Sequence, residues 1–282
     1  MPRPYVIVSH DYTRKSAGVR ALHELAYQLH KYVTDAYITG KPGPRTYNNY
    51  ADEDLLRELI RDGIVVYPEV EDGNPLGAKR IVRYFLNKPG RIRKAEFTPG
   101  EVRFAYCGLL NEYINCDPKR ILTVPVVDTS LFNSSFAMPW HSREKSAYWA
   151  GAKCADNPVE LRPETKNMTE ITFQWPETWL DLAALFRECK WFFSYQNYTA
   201  MLTEARLCGC PCVVIPNGLW SRGEYEAGVP YGMSGLAWGT DLDELIRARD
   251  TVDDFWDDHD IIRSDFESQI DNFVHITQEA FK

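Results

Sequence analysis

The sequence predicts an α/β chain built from two Rossmann-like parallel-sheet domains facing across a cleft. Three observations predict it. Short β-branched runs alternate with amphipathic stretches through the first half, the pattern of a parallel sheet with helices on its faces. The alternation restarts near residue 146. The chain has 282 residues, enough for two domains of roughly 100–150 residues each.

The elements follow in order. YVIVSH (5–10) reads as a strand, and residues 18–32 place Val19, Leu22, Leu25, Ala26 and Leu29 on one helical face. DAYIT (35–39) is a strand, DEDLLRELIRD (52–62) a helix with acids in its first turn, and GIVVYP (63–68) a strand. Acids there suit the helix dipole. PLGAKRIVRYFL (75–86) reads as a helix, and VRFAYC (102–107) and ILTVPV (121–126) as strands. In the second half SAYWAG (146–151), EITF (170–173), WFFSY (191–195) and PCVVIP (211–216) read as strands. Residues 176–189, 199–208 and 241–250 read as helices, and 261–282 ends in a helical pattern. The loop-rich segment 127–144 is the candidate linker. The boundaries expected are 1–126, 127–260 and a C-terminal helix, 261–282, packing back on the first domain.

Composition excludes several classes. Net charge is −8, against a general nucleic-acid binder, which needs a basic footprint. No apolar run approaches the ~20 residues that span a bilayer. The N-terminus enters a strand-like run without a signal-peptide pattern, so a cytoplasmic protein is expected. Seven dispersed cysteines then read as reduced thiols, and the sequons at Asn133, Asn167 and Asn197 as chance matches.

CGCPC (208–212) invites a metal reading, but zinc takes separated ligand pairs and no second pair exists. Packing at a helix–turn–strand junction is the alternative. The helix start after WFFSY is a second candidate. Gln196, Asn197 and Tyr198 lead into a helix near Thr199. Unpaired N–H groups at such a start can hold an anion, and Thr199 can cap them. Glu204 can accept two hydroxyl hydrogen bonds from a ribose, as acids do in dinucleotide folds. An ordinary helix start carrying a glutamate remains the alternative.

The segment SYQNYTAMLTEARLCGCPCVVIPNG (194–218) resembles the donor-site signature of retaining GT-B glycosyltransferases, of the family-four-like, group 1 type. Glu204-Ala205 and Gly209-Cys210-Pro211-Cys212-Val213-Val214 match it, and Gln196 stands where the family has its first glutamate. PVVDTSLFN (125–133), GVPYGMSGLAWGTDLDELIRA (228–248) and SAGVRALHELAYQL (16–29) are similar to further family segments. The resemblance implies a GT-B fold with a trimmed N-domain and an acceptor-side first domain. It also implies transfer of a sugar from a nucleotide-diphospho-sugar to a glycan or lipid-linked acceptor, in surface polysaccharide or lipopolysaccharide synthesis. Retention, no metal and no cofactor beyond the co-substrate are implied with it.

Within that resemblance Glu204 binds the ribose, the N–H groups of Thr199 and Ala200 with Gly18 hold the diphosphate, and Gln196 and Asn197 contact the sugar. Lys153 and Arg143 are the basic candidates to offset leaving-group charge. His10 and Asp11, after the first strand, are candidates to orient or deprotonate an acceptor hydroxyl, with a capped strand-end turn as the alternative. His23 and His30 read as surface or packing residues. DDFWDDHD (253–260) reads as a solvated turn or helix face. Residues 79–94 carry seven basic residues and no acid. With Ile81, Val82, Phe85 and Leu86 interleaved, they are a candidate seat on an anionic membrane at its inner face; a solvated basic helix is the alternative. Rival functions are a sugar-nucleotide epimerase of the same architecture and a non-catalytic binding module.

Overall fold

A computed structural model describes residues 2–32, 35–43, 53–151 and 160–282. The chain forms two compact units: residues 1–126 with 262–282, and residues 127–261.

Unit 1 holds β1 (Tyr5–Ile7), α1 (Ala17–Tyr32), β2 (Ala36–Ile38), α2 (Glu53–Asp62), β3 (Ile64–Pro68), β4 (Ile81–Phe85) and β5 (Val102–Ala105). The strands form one parallel sheet in the order β2-β1-β3-β4-β5. Alternate residues go to opposite faces, as the pleat requires. Tyr5, Ile7, Ile64, Val66, Val82 and Tyr84 pack with Leu22, Leu25 and Leu29 of α1. Val6, Val65 and Tyr67 pack with Leu59 of α2. The C-terminal helix joins the first face through Phe266, Ile270 and Phe273. Burying each such side chain stabilises the fold by roughly 1.5–3 kcal/mol. Phe273→Ala is therefore expected to loosen the first face most, since its ring also meets Tyr5 and Phe104 at 5.7 and 4.7 Å.

The helix expected over 75–86 is instead strand β4, and every residue of it is buried. The misreading has a physical cause. A parallel strand covered on both faces shows no alternation, so its apolar run mimics a buried helix. Gly77, at φ +64°, keeps the preceding segment from being helical. The loop from β3 to β4 is organised by Arg83, which is fully buried. Its guanidinium donates to the carbonyls of Pro68 (3.0 Å), Glu71 (2.7 Å) and Gly73 (2.7 Å) and pairs with Glu101 (3.2 Å).

The amphipathic helix on which the membrane seat over 79–94 was drawn does not form. Ile81, Val82 and Phe85 are core residues and Arg83 is spent inside the fold, so the amphipathic face it required is absent. Residues 121–126 do not form a strand either. Only Ile121 bridges β5, at Ala105. The Thr123 amide donates instead to Gln269 Oε1 (2.7 Å), and the Tyr106 hydroxyl donates to the Val124 carbonyl (3.0 Å).

Unit 2 holds β6 (Lys145–Trp149), β7 (Thr169–Ile171), α3 (Trp179–Glu188), β8 (Cys189–Ser194), α4 (Met201–Leu207), β9 (Cys212–Val214), α5 (Arg222–Gly228), β10 (Leu236–Trp238) and α6 (Leu242–Asp250). Its parallel sheet runs β10-β9-β8-β6-β7. Counted from its own first strand, this is the same 2-1-3-4-5 order as unit 1. The helices start on side-chain caps: Thr178 for α3, a Ser221–Glu224 capping box for α5 and Asp241 for α6. Helix α7 (Phe255–Ala280) begins six residues before the expected 261. Its first turns are not simply solvated, because Phe255 and His259 are buried. Among the described residues no helix is long and apolar enough to cross a membrane.

Candidate functional site

In the 2-1-3-4-5 order, successive connections leave the first and third strands toward opposite faces, and the carboxyl ends of those strands bound a crevice. In unit 2 these strands are β6 and β8. The loop after β8 is Tyr195–Ala200, which holds Gln196, Asn197, Thr199 and Ala200.

This loop is built by its neighbours. Ser194, fully buried, donates its hydroxyl to the Gln196 carbonyl (2.7 Å) and turns the chain off the strand. The Trp149 indole N–H, at the end of β6, donates to Gln196 Oε1 (3.0 Å). Gly151 follows at φ +94°, and a β-carbon there would lie 3.7 Å from Gln196 Cβ. From beyond β9, Asn217 donates its amide to the Tyr195 carbonyl (3.3 Å). From α5, the buried Tyr225 hydroxyl donates to the Asn197 carbonyl (2.7 Å).

The Asn197 side chain is fully buried, and neither its oxygen nor its nitrogen has a hydrogen-bond partner among the described residues. Leaving such a group unmatched costs about 1–3 kcal/mol. Helix α4 then begins, with Ala200 at its N-cap position and Thr199 Oγ1 accepting the Met201 amide. Glu204 lies in this helix, 2% exposed. The loop and helix thus bring Gln196, Asn197, Thr199, Ala200 and Glu204 into one element of the fold.

Arg143 does not join them. It precedes β6, and its buried guanidinium donates to the carbonyls of Met138 (2.7 Å), Cys189 (3.0 Å) and Gly209 (2.7 Å). Cys189 opens β8 and Gly209 lies ahead of β9, so Arg143 closes the amino rim of the sheet. Six residues of strand at about 3.3 Å each put it roughly 20 Å from the carboxyl rim. The donor-phosphate role expected of Arg143 is corrected to that of a structural tie. Lys153 lies outside the described residues.

The three clustered cysteines are also at this amino end. Cys208, Cys210 and Cys212 are fully buried free thiols. Burial pushes the Cys208 and Cys212 thiols up to about 12, and Cys210 well above its ordinary value. They pack the helix–turn–strand junction as neutral groups. Gly209, at φ +70°, makes the turn between them. Among the described residues no group of three or more His, Cys, Asp or Glu is placed to hold a metal ion.

Unit 1 places its candidates at its own carboxyl rim. His10 is exposed, and its carbonyl accepts the His23 ring N–H (3.0 Å). Asp11 Oδ1 accepts the Lys41 amide (2.8 Å), tying the loop after β1 to the loop after β2. That is the turn-capping alternative for Asp11. Gly18 lies in the first turn of α1, and a β-carbon there would meet only Leu86 Cδ1 (3.6 Å) and Ser16 Oγ (4.0 Å).

Sequence reasoning missed Glu69. It directly follows β3, is 4% exposed, and accepts the Leu86 amide at 2.9 Å. Burial pushes its carboxyl from 4.5 up to about 7, against the pull of the backbone N–H groups of Leu86, Glu69 itself and Asn87, and of Arg83. The readable signal was an acid at the carboxyl end of a β-branched run. Phe173 and Trp175, after β7, were missed as well. They are 44% and 43% exposed, and Phe173 meets the Trp149 ring edge-on at 5.1 Å.

Fold and site together define a doubly wound α/β protein with polar loop groups gathered at the carboxyl ends of its strands. No protein-family model matches the chain, and no curated protein sequence matches it. Among solved structures it is similar to a Listeria monocytogenes protein assigned as a UDP-N-acetylglucosamine 2-epimerase (TM-score 0.46, 12% identity, covering 93% of this chain and 91% of that one). It is also similar to a second UDP-N-acetylglucosamine 2-epimerase (0.40, 14%, 99% and 91%). The glycosyltransferase SnogD from Streptomyces nogalater is a third (0.40, 11%, 98% and 100%). At these scores and identities no activity passes from those proteins to this chain.

Proposed function

We propose that this chain is a glycosyltransferase whose unit 2 takes a nucleotide-diphospho-sugar at the carboxyl rim of its sheet and gives the sugar to a glycan or glycolipid acceptor. The observation that carries the reading is the built loop 195–200 with Glu204 buried behind it. Its motif likeness to the donor-site signature of retaining GT-B enzymes supports it too.

In this reading Glu204 accepts the ribose hydroxyls. The N–H groups of Thr199 and Ala200 hold the diphosphate, and Gln196 and Asn197 contact the sugar. As the glycosidic bond breaks, negative charge gathers on the departing diphosphate. Preoriented N–H donors and the Lys153 ammonium stabilise that charge most where it is greatest. Transfer proceeds with retention and without a metal ion. The exposed rings of Phe173 and Trp175 offer flat apolar faces for a base.

Heating curves with a panel of nucleoside diphosphates and their sugars test the reading. A ligand at 100 times its Kd adds about 2.7 kcal/mol, a rise of roughly 5–10 °C for units of this size. Glu204→Ala abolishes the rise. Lys153→Ala cuts turnover far more than it lowers melting. No shift with any nucleotide overturns the reading. Acceptor-independent release of an altered sugar nucleotide makes the chain an epimerase, and binding without turnover makes it a binding module.

A further inference from the structure

The amide of Gln196 has a fixed orientation. An indole N–H only donates, so the atom facing Trp149 at 3.0 Å is the Gln196 oxygen. The oxygen–nitrogen ambiguity of most glutamines is therefore removed here. Its Nε2 then points away from Trp149. Among the described residues nothing accepts from Nε2, and the half-buried Gln196 leaves it open to solvent. The site thus presents two unspent N–H donors at this position.

A glutamate would accept the same Trp149 bond and present a carboxylate oxygen instead. The difference is one of ligand chemistry. A carboxylate at 196 accepts from hydroxyls and repels anions. The amide, held by Trp149, donates and carries no charge.

We infer that Gln196 recognises an sp² oxygen on the transferred sugar, a uronic-acid carboxylate or an N-acyl carbonyl, rather than the proton of a hydroxyl. This rests on the sugar-nucleotide reading and deepens it. The carboxylate and carbonyl share the chemistry of a strong planar acceptor, and N–H bonds to the charged member are the stronger.

The test measures binding of four ligands to the wild-type chain and to Gln196→Glu by calorimetry. They are a nucleoside diphosphate alone, its hexose, its hexuronic acid and its N-acetylhexosamine, in uridine and guanosine series. Glu at 196 keeps the Trp149 bond, so its melting temperature matches the wild type and serves as the folding control. The wild type is expected to bind one acceptor-bearing sugar nucleotide about 10- to 100-fold tighter than the plain hexose. The hexuronic acid being favoured names a carboxylate, and the N-acetylhexosamine an amide carbonyl. Gln196→Glu loses that preference among the three sugars, each affinity being taken relative to the nucleoside diphosphate alone, which the added charge weakens for every ligand alike. Equal affinities for all three sugars, or a preference untouched by the substitution, overturn the inference while the donor reading stands. Failure of every nucleoside diphosphate to bind removes both.

Discussion

Glu69→Gln tests the energetics of the carboxyl rim of unit 1. The folded protein holds the Glu69 carboxyl at about 7, against 4.5 in the unfolded chain, because it is buried. A proton is therefore bound more tightly in the folded state. Stability contributed by the protonated form is fully present below about pH 4.5 and is lost as pH rises through about 7. At about 1.4 kcal/mol per decade of proton affinity, the interval amounts to roughly 3 kcal/mol. Glutamine keeps an oxygen for the Leu86 amide and never ionises. Near pH 5 the two proteins should be of similar stability, and near pH 8 the variant should be the more stable by up to that amount. All eight tryptophans lie between residues 140 and 256, outside unit 1, so their fluorescence is the wrong probe. Urea unfolding followed by hydrogen exchange of peptides covering β3 and β4 reads the right unit. A difference that stays flat from about pH 5 to 8, or that favours the wild type as pH rises, refutes the reasoning.

Three more outcomes are expected. Arg143→Ala strands three buried carbonyls and should cost about 3–5 kcal/mol with no change in nucleotide affinity of the folded protein; reduced affinity at unchanged melting temperature would restore Arg143 to the donor site. With a thiol reagent and peptide-resolved mass spectrometry, the exposed Cys116 should react in the native protein, whereas Cys189, Cys208, Cys210 and Cys212 should react only in denaturant. Labelling of Cys208 or Cys210 as fast as Cys116 contradicts their burial. Asn197→Leu replaces two polar atoms that have no partner among the described residues by apolar volume, so melting should hold or rise while stabilisation by a sugar nucleotide disappears. A fall of several degrees would show that the amide is satisfied in the folded protein by a buried water.

Much of the fold was legible where local pattern and burial agree. Helix α1 repeats its apolar residues at helical spacing, and all but Val19 of the five picked from the sequence are buried. β1, β3, β8 and β9 are short β-branched or aromatic runs bounded by turn residues. β4 was illegible because both of its faces are covered, which erases the period of two, and because its central arginine looks like a surface residue. Only the tertiary fold supplies the carbonyls and the Glu101 carboxylate that let Arg83 be buried. β10 was hidden in a stretch read only as a motif, and α5 in residues to which no element was assigned. In the site, the grouping of Gln196 to Glu204 was readable because those residues are sequence neighbours. Trp149 and Tyr225 were not, since they are brought to the loop by strand pairing and by α5. Arg143 misled for the converse reason. Near the right strand in sequence, it is at the wrong end of it in space.

The two rims of unit 2 differ in how completely their polar groups are matched. At the amino rim, Arg143 meets three carbonyls and the cysteines are neutral and enclosed. At the carboxyl rim, the Asn197 amide is buried without a partner among the described residues. Folding alone favours matching every buried polar group, because each unmatched one destabilises the native state. The sequence meets that demand at one end of the sheet with the costliest cation to bury. At the other end it places a buried amide, Asn197, whose polar atoms find no partner among the described residues. Local choices that work against stability concentrate where something other than folding selects them. The unmatched end is also the end where a sheet of this topology binds ligands. Stability and topology thus point independently to the loop after β8.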